Sequence, residues 1–182
     1  EGQLGGADLD LARELKQAAG PARLVLAGGI ATAAEVAAAA DRSEAMLRGL
    51  LPDPAAPARS ATRTAWHRLW LKRAEYFAAH GLWPHAARAA DRSVAWRDDG
   101  AVACYVHGFI HYQLGDLARA EPSLRRSLAI DPAVIGARTI LAAIVLEAGH
   151  AEEAERLLRE ELRRQPGDAD ALALLRYLRE QR

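Results

Sequence analysis

Cysteine occurs once in this chain, at Cys104, so no internal disulfide can form; that fits a reducing compartment and on this ground alone slightly favours the cytoplasm over the periplasm. A surplus of either charge is missing as well. Lysine and arginine number 24 and aspartate and glutamate 24, with the arginines interspersed among glutamates rather than gathered in a stripe, which removes the electrostatic basis for binding nucleic acid. No run of about 18 apolar residues occurs, so nothing in the sequence reads as a helix spanning a membrane. The longest alanine-rich stretch, IATAAEVAAAA, is too short for that and carries Glu35. Also absent are a Ser/His/Asp arrangement in any motif context and the longer glycine fingerprint of a nucleotide-binding loop. An enzyme is not indicated, and no cofactor is expected.

What is present is self-similarity. With 51% apolar and 26% charged residues, a chain of 182 residues can bury a core as one or two domains. Shifted by 34 residues, it superimposes Gly81, Gly115 and Gly149, then Ala86, Ala120 and Ala154, then Val94, Leu128 and Leu162. Small residues align upstream at Ala74, Gly108 and Ala142, and Pro132 and Pro166 close two of the units. Apolar residues three and four apart on both sides of the glycine predict two amphipathic helices. The glycine can take the left-handed backbone that ends the first helix, and Asp116 can cap the second. The aligned alanines, facing the upstream small residues, let the two backbones approach closely. Pro84 is tolerable in a first helical turn, whereas Pro122 lies deep enough to kink its helix.

This pattern resembles the tetratricopeptide repeat family, on the strength of the small residue at Gly108, Gly115-Asp116-Leu117, Ala120, Leu124, Leu128 and Pro132. The units run 67–100, 101–134 and 135–168, followed by a solvating helix over 169–182. The first departs most, with Asp98 in place of the proline, Leu82-Trp83-Pro84 at the turn and Arg73 at an ordinarily apolar place. The resemblance implies an all-α right-handed superhelix of antiparallel helix hairpins, whose concave face is made mainly by the first helix of each unit. It implies a non-catalytic protein-interaction scaffold or adaptor that receives a protein or peptide partner, within a larger assembly. The alanine- and arginine-heavy composition suggests a bacterial source.

If Cys104, His107, Gly108 and His111 face the packing interior, helical geometry turns Val102, Tyr105, Phe109, Tyr112 and Gln113 to the concave side. Arg68, Leu71, Lys72 and Glu75 stand there one unit earlier, and Thr139 and Leu146 one unit later. Such an aromatic floor suits a peptide whose apolar side chains dock between rings. Family members that hold the carboxylate tails of heat-shock chaperones use lysines and asparagines on this surface. Here Leu71, Glu75, Tyr105 and Phe109 stand instead, and the chain has no asparagine, so that client class is not expected.

Cys104, His107 and His111 also lie on one helical face and in principle could hold a metal. Their equivalents are Trp70, Arg73 and Phe77 before and Arg138, Leu141 and Val145 after, so a packing stripe is the favoured reading, and no fourth donor is visible. His80 and His85 flank a turn, where exposure to solvent is expected, and the tryptophans at 66, 70, 83 and 96 read as buried core in the first unit. Upstream, 1–50 is an N-terminal helical region with a helix over roughly 9–19. Residues 21–50 admit either a degenerate repeat, which is favoured, or a short strand whose Gly28 and Gly29 precede a helix and could bind phosphate. Residues 51–66, rich in proline and alanine, read as a connection. The chain begins at Glu1 rather than methionine, which leaves a preceding signal, anchor or domain open.

Overall fold

The computed structural model describes residues 60–97 and 99–181, together with Asp41. The helix expected over 9–19, both readings of 21–50 with the Gly28-Gly29 site, and most of the proline-rich connection lie outside the described residues. Within them the chain forms α1 (Ser60–Ala79), α2 (Trp83–Trp96), α3 (Ala101–Gln113), α4 (Leu117–Ile130), α5 (Ala137–Glu147), α6 (Ala151–Arg164) and α7 (Ala169–Glu180), with no strand among the described residues. The helices pair as α1–α2, α3–α4 and α5–α6, each hairpin packs on the next, and α7 packs on α6 and α5. This is the all-α solenoid of helix hairpins that the 34-residue period predicts. None of the described helices is long and apolar enough to cross a membrane.

Each hairpin turns in the same way because the same backbone demand recurs. At the end of α3, the Gly115 N–H donates to Tyr112 O at 2.9 Å and the Asp116 N–H reaches back to His111 O at 2.9 Å. This closure needs a left-handed residue between helix and cap, and Gly115 supplies it at φ +74°. Gly81 and Gly149 close α1 and α5 with the same pair of bonds. Asp116 then accepts from the Arg119 N–H at 3.2 Å, satisfying one free donor at the start of α4. A Cβ on Gly115 would meet nothing within 4 Å, so Gly115→Ala adds backbone strain without a clash. Urea denaturation of Gly115→Ala is expected to show a loss of about 1–2 kcal/mol; a neutral result would mean that the turn readily relaxes to another conformation.

Ala86, Ala120 and Ala154 are all buried against the small residues at 74, 108 and 142, which brings the paired helices together. Helical backbone runs through Pro122 without interruption from Leu117 to Ile130. α1 begins at Ser60, inside the stretch read above as connection. Its N-terminal turns are docked on the end of α2: Trp66 stacks on Trp96 with ring centres 6.1 Å apart, Arg63 Nε donates to Trp96 O at 3.4 Å, and Arg97 Nη1 donates to Thr64 Oγ1 at 3.0 Å. Trp66, Trp70 and Trp96 are buried, while Trp83 is half-buried. His80 is exposed, but His85 is largely covered and lies 3.1 Å from Asp41 Oδ1.

One tie repeats at a position that the period marks and apolar patterning does not. Ser93 Oγ donates to His67 O at 3.1 Å, and 34 residues on Ser127 Oγ donates to Ala101 O at 2.8 Å, both buried. In the third hairpin Glu161 stands at this place, and its Oε1 accepts from the Gly136 N–H at 3.1 Å. In each of the three described hairpins, then, a buried polar side chain near the end of the second helix ties it to the first, at the start of α3 and α5 and at His67 within α1.

Candidate interaction groove

The first helices of successive hairpins lie side by side, α3 touching both α1 and α5, and α5 touching α7. Between α3, α5 and α7 opens a concave cavity of about 600 Å³. From α3 come Tyr105, Phe109, Tyr112 and Gln113; from α5 Thr139, Ile140 and Ala143; from α7 Leu174 and Tyr177, with Asp168 and Asp170 at one end. The Tyr105 and Phe109 rings stack with centres 6.3 Å apart, and Phe109 takes the Trp83 ring edge-on at 6.0 Å. Burial, together with the nearby Glu161 charge, pushes the Tyr105 phenol above its ordinary pKa, so it stays a neutral hydrogen-bonding group. Thr139 Oγ1 donates to Asp168 Oδ2 at 2.9 Å, while Asp168 Oδ1 accepts the N–H groups of Asp170 and Ala171, each at 3.0 Å. Thr139 thus couples α5 to the cap of α7, and Asp170 is left exposed at the rim.

Of the residues singled out from the sequence, Tyr105, Phe109, Tyr112, Gln113 and Thr139 share this cavity. Arg68, Leu71, Lys72, Glu75, Val102 and Leu146 are not among its lining residues. Lys72 is exposed and donates to Glu75 Oε2 at 2.7 Å along the surface of α1, Val102 is exposed, and Leu146 packs on the C-terminal core. The sequence reads α7 as a closing helix with Leu174 among its packing residues, which leaves the groove positions of Leu174 and Tyr177 unnamed. The signal was there: the 34-residue shift carries Ile140 onto Leu174 and Ala143 onto Tyr177, so α7 presents the groove positions of a further first helix.

Cys104, His107 and His111 are buried between helices, as a packing stripe requires. The histidines, however, meet a carboxylate from the preceding hairpin. Asp91 Oδ1 lies 2.9 Å from His107 Nε2 and 3.0 Å from His111 Nε2; Cys104 is not part of this cluster. Hydrogen bonds to His107 and then His111 hold the Asp91 carboxyl well below the usual carboxylate range, outweighing its partial burial.

No curated protein matches the chain. Among solved structures, the tetratricopeptide domain of Arabidopsis OM64 superimposes with a TM-score of 0.62 at 15% identity, over 65% of this chain and 98% of that one. The first tetratricopeptide domain of Spaghetti (RPAP3), solved bound to an HSP90 peptide, gives 0.59 at 16% identity, over 63% and 91%. MamA gives 0.62 at 18% identity, over 79% of each chain. Residues 111–177 match the family described as tetratricopeptide repeat. With the hairpin turns and the close small-residue contacts already in view, the described hairpins share the tetratricopeptide fold, and residues 111–177 match that repeat family in sequence.

Proposed function

We propose that this chain is a non-catalytic scaffold or adaptor that holds a peptide or a partner-subunit segment in the groove between α3, α5 and α7, within a larger assembly. The observation that carries this reading is the stacked Tyr105–Phe109 pair facing Tyr177 and Leu174 across a cavity of about 600 Å³. Half-buried rings on rigid helices offer large apolar area at little entropic cost, which is how a few side chains come to dominate a peptide interface. Two tetratricopeptide domains of RPAP3 have been solved with chaperone peptides, SRMEEVD and SGPTIEEVD, which supports a groove of this kind as a peptide site. Those peptides end in acidic residues. Among the described residues the lining contains no lysine, arginine or histidine and includes Asp168 and Asp170, so an acidic carboxylate tail would be repelled, and an apolar segment without such a tail is the better fit.

The test is the double variant Tyr105→Ala with Phe109→Ala, used as bait in a native extract of the source organism with mass spectrometry of what is retained. Helicity by circular dichroism is expected to stay near that of the parent, because neither ring belongs to the fully buried core. Partner capture is expected to fall by about 2 kcal/mol or more, roughly 30-fold in affinity. Recovery of the same partners in unchanged yield would sink the groove assignment.

A further inference from the structure

His107 and His111 sit four residues apart on α3, so both rings leave the same face, with centres 4.4 Å apart. Their equivalents in the next hairpin are Leu141 and Val145, both buried. An apolar pair therefore fills this interface without difficulty, and the histidines are a departure that packing does not require. The residue they reach departs too: Asp91 on α2 aligns with Arg125 and Arg159 in the later hairpins.

Ser123 Oγ lies 2.8 Å from His107 Nδ1 and 3.0 Å from Arg119 O. With its one hydroxyl hydrogen on Arg119 O, the His107 ring N–H donates to Ser123 Oγ and the Nε2 lone pair is presented to the Asp91 side, as a metal-binding imidazole needs. His111 Nδ1 is buried and without a hydrogen bond, with Asp116 Oδ2 3.5 Å away, near enough to take its N–H once Nε2 binds a metal.

We propose that Asp91, His107 and His111 form a site for a divalent transition cation of the zinc class, clasping the first hairpin to the second. Two imidazole nitrogens and one carboxylate suit Zn²⁺ or Co²⁺, whereas Ca²⁺ and Mg²⁺ favour all-oxygen sites. The three donor atoms already lie within 4.8 Å of one another. Ligands about 2.0–2.1 Å from a tetrahedral metal stand roughly 3.4 Å apart, so the two Nε2–Oδ1 pairs open by a few tenths of an ångström on binding. Asp91 has the freedom for that opening, its side chain being 43% exposed against 10% and 2% for His107 and His111. That open side also leaves the fourth position to water. The competing charge is Arg119, with Nη1 3.7 Å from Asp91 Oδ2 and Nε 3.3 Å from Asp116 Oδ2; at 60% exposure it turns into solvent when a cation enters.

The experiment uses the whole chain without an affinity tag, stripped with a chelator and dialysed. Calorimetric titration with Zn²⁺ is expected to show one equivalent bound, a rise in melting temperature, and, with Co²⁺, visible absorption of a low-coordinate site. Asp91→Asn removes the equivalent; being on a half-exposed side chain, it preserves the fold even if His111→Gln does not. Ser123→Ala, which removes the support behind His107 together with a bond to Arg119 O, weakens the affinity roughly 10–100-fold with helicity unchanged. His150→Gln, remote from the cluster in the third hairpin, changes nothing. Absence of a stoichiometric equivalent, or one that survives Asp91→Asn, overturns the site and leaves a hydrogen-bonded histidine pair only.

Discussion

Replacing Glu161 by alanine is expected to lower the unfolding free energy by about 3–5 kcal/mol, the range for breaking a buried ion pair from one side. Glu161 is 1% exposed and Arg138, with Nη1 3.6 Å from Glu161 Oε2, is 7% exposed, so the arginine left behind has little water to turn to. The same carboxylate accepts the Gly136 N–H at the start of α5, and that donor would lose its partner as well. Partial compensation comes from Glu160, whose Oε2 lies 3.5 Å from Arg138 Nε, which places the expectation toward the lower end of the range. Glu161→Gln keeps an acceptor for Gly136 and should cost less than Glu161→Ala. Urea melts followed by circular dichroism measure both. A loss below about 1 kcal/mol for the alanine variant, small on the scale of core changes, would mean that Glu160 takes over the arginine entirely.

That tie shows where a single sequence is legible. The hairpin turns could be read in advance because they rest on local backbone demands: a left-handed residue at 81, 115 and 149, and a missing side chain where two helices touch at 108. Helical geometry alone placed Tyr105, Phe109, Tyr112 and Gln113 on one face of α3, and they line one cavity. The features that escaped are those in which side chains meet across hairpins. Asp91 lies 16 and 20 residues from the histidines it bridges and sits in a helix whose polar face looks like any solvated one. The sequence grouped Cys104 with the histidines because all three follow one stripe of α3, yet the third donor comes from α2. The early start of α1 was hidden for a related reason, since within its own hairpin Arg63, Thr64 and Trp66 are held by residues some 30 positions away and show no periodicity of their own. Register within a hairpin is written locally; contacts between hairpins are chosen by polar partners that no period announces.

Gly108→Leu brings the strongest of these local demands to a test. A Cβ at this position would stand 2.7 Å from Leu124 Cγ and 3.1 Å from Ala120 O, the first a branched carbon of a fully buried side chain and the second part of the α4 backbone. Helix propensity pulls the other way, because glycine inside a helix costs about 1 kcal/mol relative to better formers. The clash outweighs it: forcing extra methylenes into a filled core costs about 1–3 kcal/mol, and leucine brings three carbons beyond Cβ into a place with no room for the first. With the clash at the upper end of that range, a net loss of about 2 kcal/mol is therefore expected in urea melts. Gly108→Ala should lose less, since Ala74 and Ala142 occupy the same place in the other hairpins. Pairing Gly108→Leu with Leu124→Ala should restore part of the loss by removing the side chain in the way. Because α3 carries the Tyr105–Phe109 pair, its displacement from α4 should also weaken partner capture in proportion to the lost stability. If Gly108→Leu leaves the melt within about 0.5 kcal/mol of the parent, as an ordinary surface change would, the close approach of α3 and α4 is not what sets the hairpin.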